Sequence, residues 1–165
     1  MIDKKVCYVG VPLQNELVEK TEKSNKSSTE AKIYTIPRFS DMRGSLNALE
    51  LGKQIPFLVK RVFYAYDTPS SVIRGEHAHK KCHQFLIPLS GSLNVIADDG
   101  QNRDEFTLDS PSKGLYLPPG IWGVQYKHQS NTILLVLASH EYDKDDYIRD
   151  YSVFINYIKN KSRHD

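Results

Sequence analysis

The sequence has 165 residues, of which 39% are hydrophobic and 25% are charged, and its formal net charge is +2. This length suits one domain with a core of its own, and the composition is ordinary for a globular protein. The small net charge argues against a nucleic-acid-binding surface, and no stretch reaches the ~18 apolar residues of a membrane span. Two cysteines are too few for a disulfide framework, and the N-terminus lacks the apolar centre of a signal peptide. We therefore expect a reduced, cytoplasmic protein.

The sequence pattern divides the chain into three parts. Residues 1–32 contain a Glu-, Lys-, Ser- and Thr-rich stretch that has little to bury, so we predict a peripheral or flexible extension. Docking of this extension on a neighbouring subunit is an alternative. Residues 33–158 carry the pattern of a folded domain, and 159–165 form a polar tail.

Short runs of β-branched, aromatic and alternating residues begin at residue 33 and are separated by Gly, Pro and Asp. They predict strands near 33–39, 45–50, 57–66, 74–79, 82–89, 93–97, 103–108, 114–117, 122–126 and 132–138. The sequence Asp98-Asp99-Gly100 is a strong hairpin signal between two of these strands. Many short strands joined by such turns are typical of an all-β sandwich or barrel.

The pattern changes near the C-terminus. Apolar residues recur at three-to-four spacing from Tyr147 to Ile158. This spacing predicts a helix that packs against the barrel, with Asp145 or Asp146 as its N-cap.

The most informative stretch runs from residue 74 to residue 91. His77 and His79 are separated by one residue, so on a strand both side chains point to the same face. Two neighbouring imidazoles can bind one metal ion, or they can contact one substrate from two directions. Gly75 precedes the pair, Gln84 follows five residues after His79, and Gly91 closes the stretch.

This arrangement resembles the first signature of the cupin barrels, in which a glutamate occupies the position of Gln84. The second cupin signature would begin at Gly114, pass through Pro118 and Gly120, and end in a histidine where this chain has Gly123. Two imidazoles and an amide are poor ligands for zinc, iron or manganese. The sequence therefore predicts metal-free acid–base chemistry, and Gly123 argues against a metal-dependent dioxygenase.

A closer resemblance covers residues 33–158. In the order of its motifs the chain is similar to the dTDP-4-keto-6-deoxyglucose 3,4-ketoisomerases. The matching segments are 60–64, 74–80, 90–92, 98–100, 108–111, 113–116, 135–139 and 146–151. The resemblance implies a cupin (double-stranded β-helix or jelly-roll barrel) and a homodimer with exchanged N-terminal strands. It also implies a reaction without cofactor on a dTDP-linked 4-keto-6-deoxyhexose, in deoxyamino-sugar biosynthesis for polysaccharides or secondary metabolites.

Moving a ketone from C4 to C3 requires removal of the C3 proton, stabilisation of an enediolate and return of a proton at C4. Histidine suits this work because its unperturbed pKa is near ~6.5. We expect His79 to move the carbon proton and His77 to move protons between the oxygens, although the reverse assignment is open. Tyr64 matches a family active-site tyrosine and is expected to hydrogen-bond the oxyanion, with core packing as its alternative.

The resemblance and the chemistry of the substrate also suggest binding residues. Arg43 resembles a diphosphate-binding arginine of related epimerases, and Arg74 is a second candidate, because guanidinium matches phosphate oxygens. Arg61 is a third candidate, with a structural role as its alternative. Gln84 is expected to orient a hydroxyl, and Trp122 to flank the sugar or base unless it packs in the core.

Two other functions compete with the ketoisomerase. One is a dTDP-sugar 3,5-epimerase, in which one histidine base is normally paired with a tyrosine acid. The other is a sugar-nucleotide-binding cupin without catalysis. The adjacent His77 and His79 favour the ketoisomerase.

Overall fold

The computed structural model describes residues 28–162. The predicted extension at 1–32 therefore lies mostly outside the described residues. In chain order the strands are β1 (Lys32–Thr35), β2 (Arg38–Asp41), β3 (Gly44–Asn47), β4 (Arg61–Ala65), β5 (Arg74–His79), β6 (Gln84–Ser90), β7 (Leu93–Asp98), β8 (Arg103–Leu108), β9 (Lys113–Leu117), β10 (Trp122–Tyr126), β11 (Ile133–Ala138) and β12 (Tyr147–Ile148). A short 3-10 helix (Lys144–Asp146) precedes β12, and the α-helix α1 (Tyr151–Lys161) follows it.

Ten of these strands form two five-stranded antiparallel sheets that share a core. The strand order is β1-β9-β6-β11-β4 in the first sheet and β12-β5-β10-β7-β8 in the second. Leu86 and Val136 of the first sheet pack against Val95 and Ala97 of the second in one buried cluster. The alternation of side chains along each strand explains this inner face. The prediction of an all-β protein with one short C-terminal helix is confirmed.

The outer face of the first sheet is apolar as well. Along β6 every residue from Gln84 to Pro88 is buried, because Phe85 and Ile87 pack under Ile36 and Ile55 of the N-terminal part of the domain. Burial on both faces explains why the β6 sequence is almost continuously apolar instead of alternating.

The C-terminal helix begins later than the sequence suggested. Asp150 caps it, because its carboxylate accepts hydrogen bonds from the backbone N–H groups of Ser152 and Val153 at 2.8 and 3.0 Å. The prediction of Asp145 or Asp146 as the N-cap was wrong: β12 precedes the helix and pairs with β5. Among residues 28–162 no helix has the length and apolar character needed to cross a membrane.

The predicted strand at 33–39 is divided into β1 and β2 around Pro37. Strands β2 and β3 form a hairpin that pairs only with itself among the described strands. Phe39 and Leu46 on this hairpin are exposed. An exposed apolar hairpin is a surface that a second copy of the chain can cover.

Replacing Phe154 tests how α1 is held. Its ring is 0% exposed and packs with Trp122, Ala78 and Ile148, so Phe154→Ala leaves a cavity and is expected to lower the free energy of unfolding by about 3–5 kcal/mol. Val153 is the control in the same helix turn, because its side chain is 54% exposed; Val153→Ala should change that energy by about 0.5 kcal/mol at most. Urea unfolding measures both, and equal losses would contradict this packing.

Candidate active site

A β-bulge sets the direction of the histidine pair. Gly75 and Glu76 have φ angles of 81° and 52°, and the register between β5 and β10 shifts at this point, so that His77 lies opposite Gly123. A Cβ atom on Gly75 would lie 2.6 Å from the Gly123 carbonyl oxygen, so only glycine permits this close approach. The bulge also brings the Gly75 carbonyl within 2.9 Å of His77 Nδ1. His77 Nδ1–H therefore donates to the backbone and leaves Nε2 as the basic nitrogen.

A buried carboxylate orients the second histidine. His79 Nδ1–H donates to Asp146 Oδ2 at 2.7 Å, and both side chains are buried. The backbone N–H groups of Lys81 and Cys82 donate to the two carboxylate oxygens at 2.7 and 3.3 Å. Asp146 is thus fixed by the turn after β5, and it holds the imidazole in one orientation.

Gln84 contacts the other nitrogen of the same ring. Its side-chain Nε2 lies 3.1 Å from His79 Nε2. An amide nitrogen can only donate, so His79 Nε2 accepts this bond and carries no proton. A carboxylate at position 84 would instead favour a protonated ring. Glutamine in place of the cupin glutamate therefore favours the neutral form of His79.

Burial acts on the charge of both histidines. It lowers the pKa of His79 from 6.5 to about 4, although the hydrogen bond to Asp146 acts in the opposite direction. Burial also lowers the pKa of His77, against the effect of its hydrogen bond to Gly75. Burial raises the pKa of Asp146, but hydrogen bonds from His79 and the backbone outweigh this effect and lower it overall. At neutral pH the site contains two neutral bases and one ionised carboxylate.

An aromatic ring covers the two imidazoles. Tyr147 lies opposite His79 in the pairing of β12 with β5, and its ring centroid is 4.3 Å from that of His79 and 4.9 Å from that of His77. The guanidinium of Arg149 lies 4.3 Å from the Tyr147 centroid. The positive charge of Arg149 also contributes to the lowered pKa of His77. Sequence reasoning missed Asp146, Tyr147 and Arg149 as site residues.

His77, His79 and Gln84 border one pocket between the two sheets. It is lined by Gly75, His77, His79, Cys82, Gln84, Leu117, Pro118, Ile121, Gly123 and Gln125. The Nε2 atoms of two imidazoles in one pocket can remove and return protons on one small molecule.

Comparison with known proteins assigns the chain to a family. Residues 29–159 match the family described as "FdtA: WxcM-like, C-terminal". The chain belongs to this family.

Relatives within and near the family have named activities. The chain is 48% identical over 129 residues to the TDP-4-oxo-6-deoxy-alpha-D-glucose-3,4-oxoisomerase of Aneurinibacillus thermoaerophilus, which covers 78% of this chain and 93% of that protein. It is 35% identical, with a TM-score of 0.79, to QdtA, a sugar 3,4-ketoisomerase from Thermoanaerobacterium thermosaccharolyticum solved with TDP; 82% of this chain and 98% of that chain align.

A more distant match bears on the fold alone. The dTDP-6-deoxy-D-glucose-3,5-epimerase RmlC of Legionella pneumophila is 17% identical, with a TM-score of 0.66 over 75% of this chain and 74% of that one. That enzyme has the cupin fold, so the prediction of a cupin barrel is confirmed.

Of the predicted binding residues, Gln84 and Arg61 lie near the histidine pair. Arg61 is opposite Ala138 on the inner face of the first sheet, and its positive charge contributes to the lowered pKa of His79. Arg61 Nε is buried without a hydrogen-bond partner among the described residues. Such a donor is available to an oxygen of a bound ligand.

Arg74 lies at the outer end of the pocket. It is opposite Gln125, which lines the pocket, and it is exposed. Its position fits the charged end of an elongated ligand better than the reacting carbon atoms.

The structure separates Tyr64 and Trp122 from the histidines. Tyr64 is opposite Leu135 on the outer face of the first sheet, and it is 64% exposed. Its expected bond to an oxyanion is therefore not made within one chain. Trp122 is buried against α1, with its ring centroid 5.5 Å from that of Phe154, because alternation along β10 turns it away from Gly123. The expected contact of Trp122 with sugar or base is replaced by its alternative, core packing.

Arg43 also lies away from the pocket of its own chain. It lies in the turn of the β2–β3 hairpin, its side chain is 89% exposed, and its guanidinium pairs with Asp41. A diphosphate-binding role for Arg43 requires a second chain.

The ligand positions of a cupin metal site meet in this pocket, but their side chains do not fit a resident metal ion. His77, His79, Gln84 and Gly123 line the same space. The side chain of Gly123 offers no ligand atom, and the N–H group of the Gln84 amide donates a hydrogen bond to His79 Nε2. The donor set is too poor for the metals that cupins hold.

The buried neutral His79 makes the stability of the fold depend on pH. Its pKa is lower in the folded chain than the unfolded value of 6.5, so its contribution is present above pH 6.5 and is lost as pH falls toward about 4. Between pH about 7 and about 5 this amounts to roughly 2 kcal/mol. Urea unfolding at the two pH values measures the loss of unfolding free energy on acidification. This loss should be smaller in His79→Asn than in the wild type, by roughly the same 2 kcal/mol. Equal losses in the two proteins would show that His79 is not buried in the neutral form.

Proposed function

We propose that this protein is a sugar-nucleotide 3,4-ketoisomerase that moves the keto group of dTDP-4-keto-6-deoxyglucose from C4 to C3. It is then an intramolecular oxidoreductase within the isomerases. The observation that carries the proposal is the pair of imidazoles with basic Nε2 atoms in one pocket, one of them held by Asp146 at 2.7 Å. The 3,4-oxoisomerase activity of the relative that is 48% identical supports the same reaction.

The first step uses His79 as the base. Its Nε2 removes the proton from C3, which the C4 carbonyl acidifies, and the electron pair moves onto O4 to form an enediolate. His79 becomes an imidazolium, and the negative charge of Asp146 stabilises it. The substrate displaces the amide of Gln84 from His79 Nε2, which frees this amide to orient the substrate hydroxyls.

The second step moves a proton between the two oxygens. His77 Nε2 accepts the proton of O3 and delivers it to O4. The imidazolium of His79 then returns its proton to C4, and the electron pair on O3 forms the new C3 carbonyl. We assign stabilisation of the oxygen charge to Arg61, whose buried Nε has no hydrogen-bond partner among the described residues.

Tyr147 and Arg149 act through the histidines. The ring of Tyr147 contacts both imidazoles and fixes their mutual orientation. Arg149 lies against the Tyr147 ring, and its positive charge disfavours protonation of His77. The Nε2 atoms of His77 and His79 are therefore both unprotonated before the reaction.

A homodimer with exchanged N-terminal strands completes the proposal. The β2–β3 hairpin extends from the barrel with Phe39 and Leu46 exposed, and the outer face near β4 exposes Val62 and Tyr64. Strand β4 is also an unpaired sheet edge among the described strands. A second copy would cover these surfaces and bring Arg43 to the diphosphate in the partner's pocket.

Four further points stay predictions: the cytoplasmic location, the domain limits 33–158, the extension at 1–32 and a role in deoxyamino-sugar biosynthesis. The family match at residues 29–159 supports the domain limits.

Proton NMR of dTDP-4-keto-6-deoxyglucose with purified protein and excess EDTA tests the function. We expect conversion to the 3-keto sugar, since the site needs no metal ion, and the C4 signal gives the product stereochemistry. Exchange at C3 and C5 with the ketone still at C4 would instead indicate a 3,5-epimerase, for which the contact of Tyr147 with His79 provides a tyrosine beside a histidine. Binding without turnover would indicate a non-catalytic cupin, and activity lost only with EDTA would overturn the metal-free mechanism.

The same assay in deuterated water separates the two histidines. His79→Asn should abolish exchange of the C3 hydrogen while nucleotide binding survives, because the base for carbon is lost. His77→Asn should retain C3 exchange and lose product formation, because the oxygen-to-oxygen transfer is lost. The opposite pattern would reverse the two roles, and undiminished turnover in His79→Asn would remove it from the mechanism.

Mixed dimers test the exchange of strands. Arg43→Ala and His79→Asn should each be inactive alone. Co-refolding equal amounts should restore about one quarter of the wild-type activity, since half the dimers are mixed and each has one intact pocket. No restored activity, with mixed dimers verified by mass, would show that Arg43 serves the pocket of its own chain.

A further inference from the structure

One buried nucleophilic group has no role in the proposed reaction. The thiol of Cys82 lies in the wall of the same pocket. One ligand atom each from His79, Cys82 and Asp146 lies within 4.8 Å of the other two, and all three side chains are buried. This group shares only His79 with the four cupin ligand positions described above.

We propose that His79, Cys82 and Asp146 form an inhibitory site for a thiophilic divalent cation, with Zn²⁺ as the best-suited ion. Imidazole nitrogen, thiolate sulfur and carboxylate oxygen are the ligand types that zinc takes in proteins. The ionised carboxylate and the thiolate together balance the two positive charges of the ion. The buried complex is therefore neutral, which limits the cost of removing it from water.

The distances between the three ligand atoms are close to those in a tetrahedral zinc site. His79 Nδ1 is 2.7 Å from Asp146 Oδ2. In a tetrahedral site with bonds of about 2.0–2.3 Å the ligand atoms are roughly 3.3–3.8 Å apart. The carboxylate must therefore retreat, and the sulfur approach, by about 1 Å or less. The backbone N–H groups of Lys81 and Cys82 continue to hold the carboxylate, and water from the pocket completes the coordination.

Metal binding at this position would remove the base. Zinc takes Nδ1, so the Nδ1 proton of the neutral ring moves to Nε2, and the thiol proton of Cys82 leaves to solvent. His79 Nε2 then has a proton and no lone pair for the C3 hydrogen. The inhibition rests on the proposed function, whereas the metal binding does not.

Cadmium reports the metal–sulfur bond directly and needs no substrate. Cd²⁺ added to the purified full-length protein should give the ultraviolet charge-transfer band of a cadmium thiolate, at one ion per chain. Cys82→Ser, which keeps the size of the side chain, should lose the band. Cys7→Ala removes the other cysteine and serves as the matched control, with the band retained. A band that survives in Cys82→Ser, or disappears in Cys7→Ala, would overturn the site.

Turnover assays test the inhibition separately. Zn²⁺ should inhibit the wild type, with recovery on addition of EDTA, and the concentration for half inhibition should rise at least about tenfold in Cys82→Ser. Because Cys82 lies in the pocket wall, the inhibition of each protein is expressed relative to its own activity without zinc. Equal sensitivity of wild type and Cys82→Ser would contradict the proposal. If the protein does not turn over the keto sugar, the cadmium band still decides whether the metal site exists.

Discussion

The hydrogen bond between His79 Nδ1 and Asp146 Oδ2, 2.7 Å long and buried, is the contact on which the site depends. It joins the end of β5 to the segment before β12, residues that are 67 positions apart. It also fixes the ring so that Nε2 is the basic nitrogen in the pocket. The C-terminal segment is therefore part of the active site as well as a covering of the barrel.

Several local contacts keep the imidazoles of His79 and His77 neutral and oriented. The amide of Gln84 donates to Nε2, and burial disfavours the charged ring more strongly than Asp146 favours it. The bulge at Gly75 gives His77 its own acceptor. A buried imidazole with a low pKa is unprotonated at neutral pH, and in the proposed reaction the nearby carboxylate would stabilise the imidazolium. The ligand atoms of His79, Cys82 and Asp146 lie within 4.8 Å of one another, which is the basis of the proposed inhibitory metal site.

Much of this was predictable from the sequence because period-two alternation and Gly, Pro and Asp turns are local signals. They indicated an all-β sandwich or barrel and placed His77 and His79 on one face, whereas the cupin barrel and the place of Gln84 beside them came from the resemblance to the cupin signature. Asp146 and Tyr147 were missed because a three-residue 3-10 helix and a two-residue strand have no periodicity of their own. Asp150 supplies the cap that Asp145 or Asp146 was expected to supply. For Tyr64 and Trp122 the sequence left ligand contact and core packing open, because it does not state which face of a strand is inner.

The most direct test of the central claim is nitrogen NMR of the His79 ring in the protein labelled with ¹⁵N-histidine, at neutral pH and assigned with His79→Asn. The account predicts a neutral imidazole with the proton on Nδ1 and an unprotonated Nε2. On replacement of Asp146 by Asn the ring should stay neutral and the Nδ1 proton should lose its strongly hydrogen-bonded shift. A ring protonated on both nitrogens, or a neutral ring with its proton on Nε2, would contradict the account.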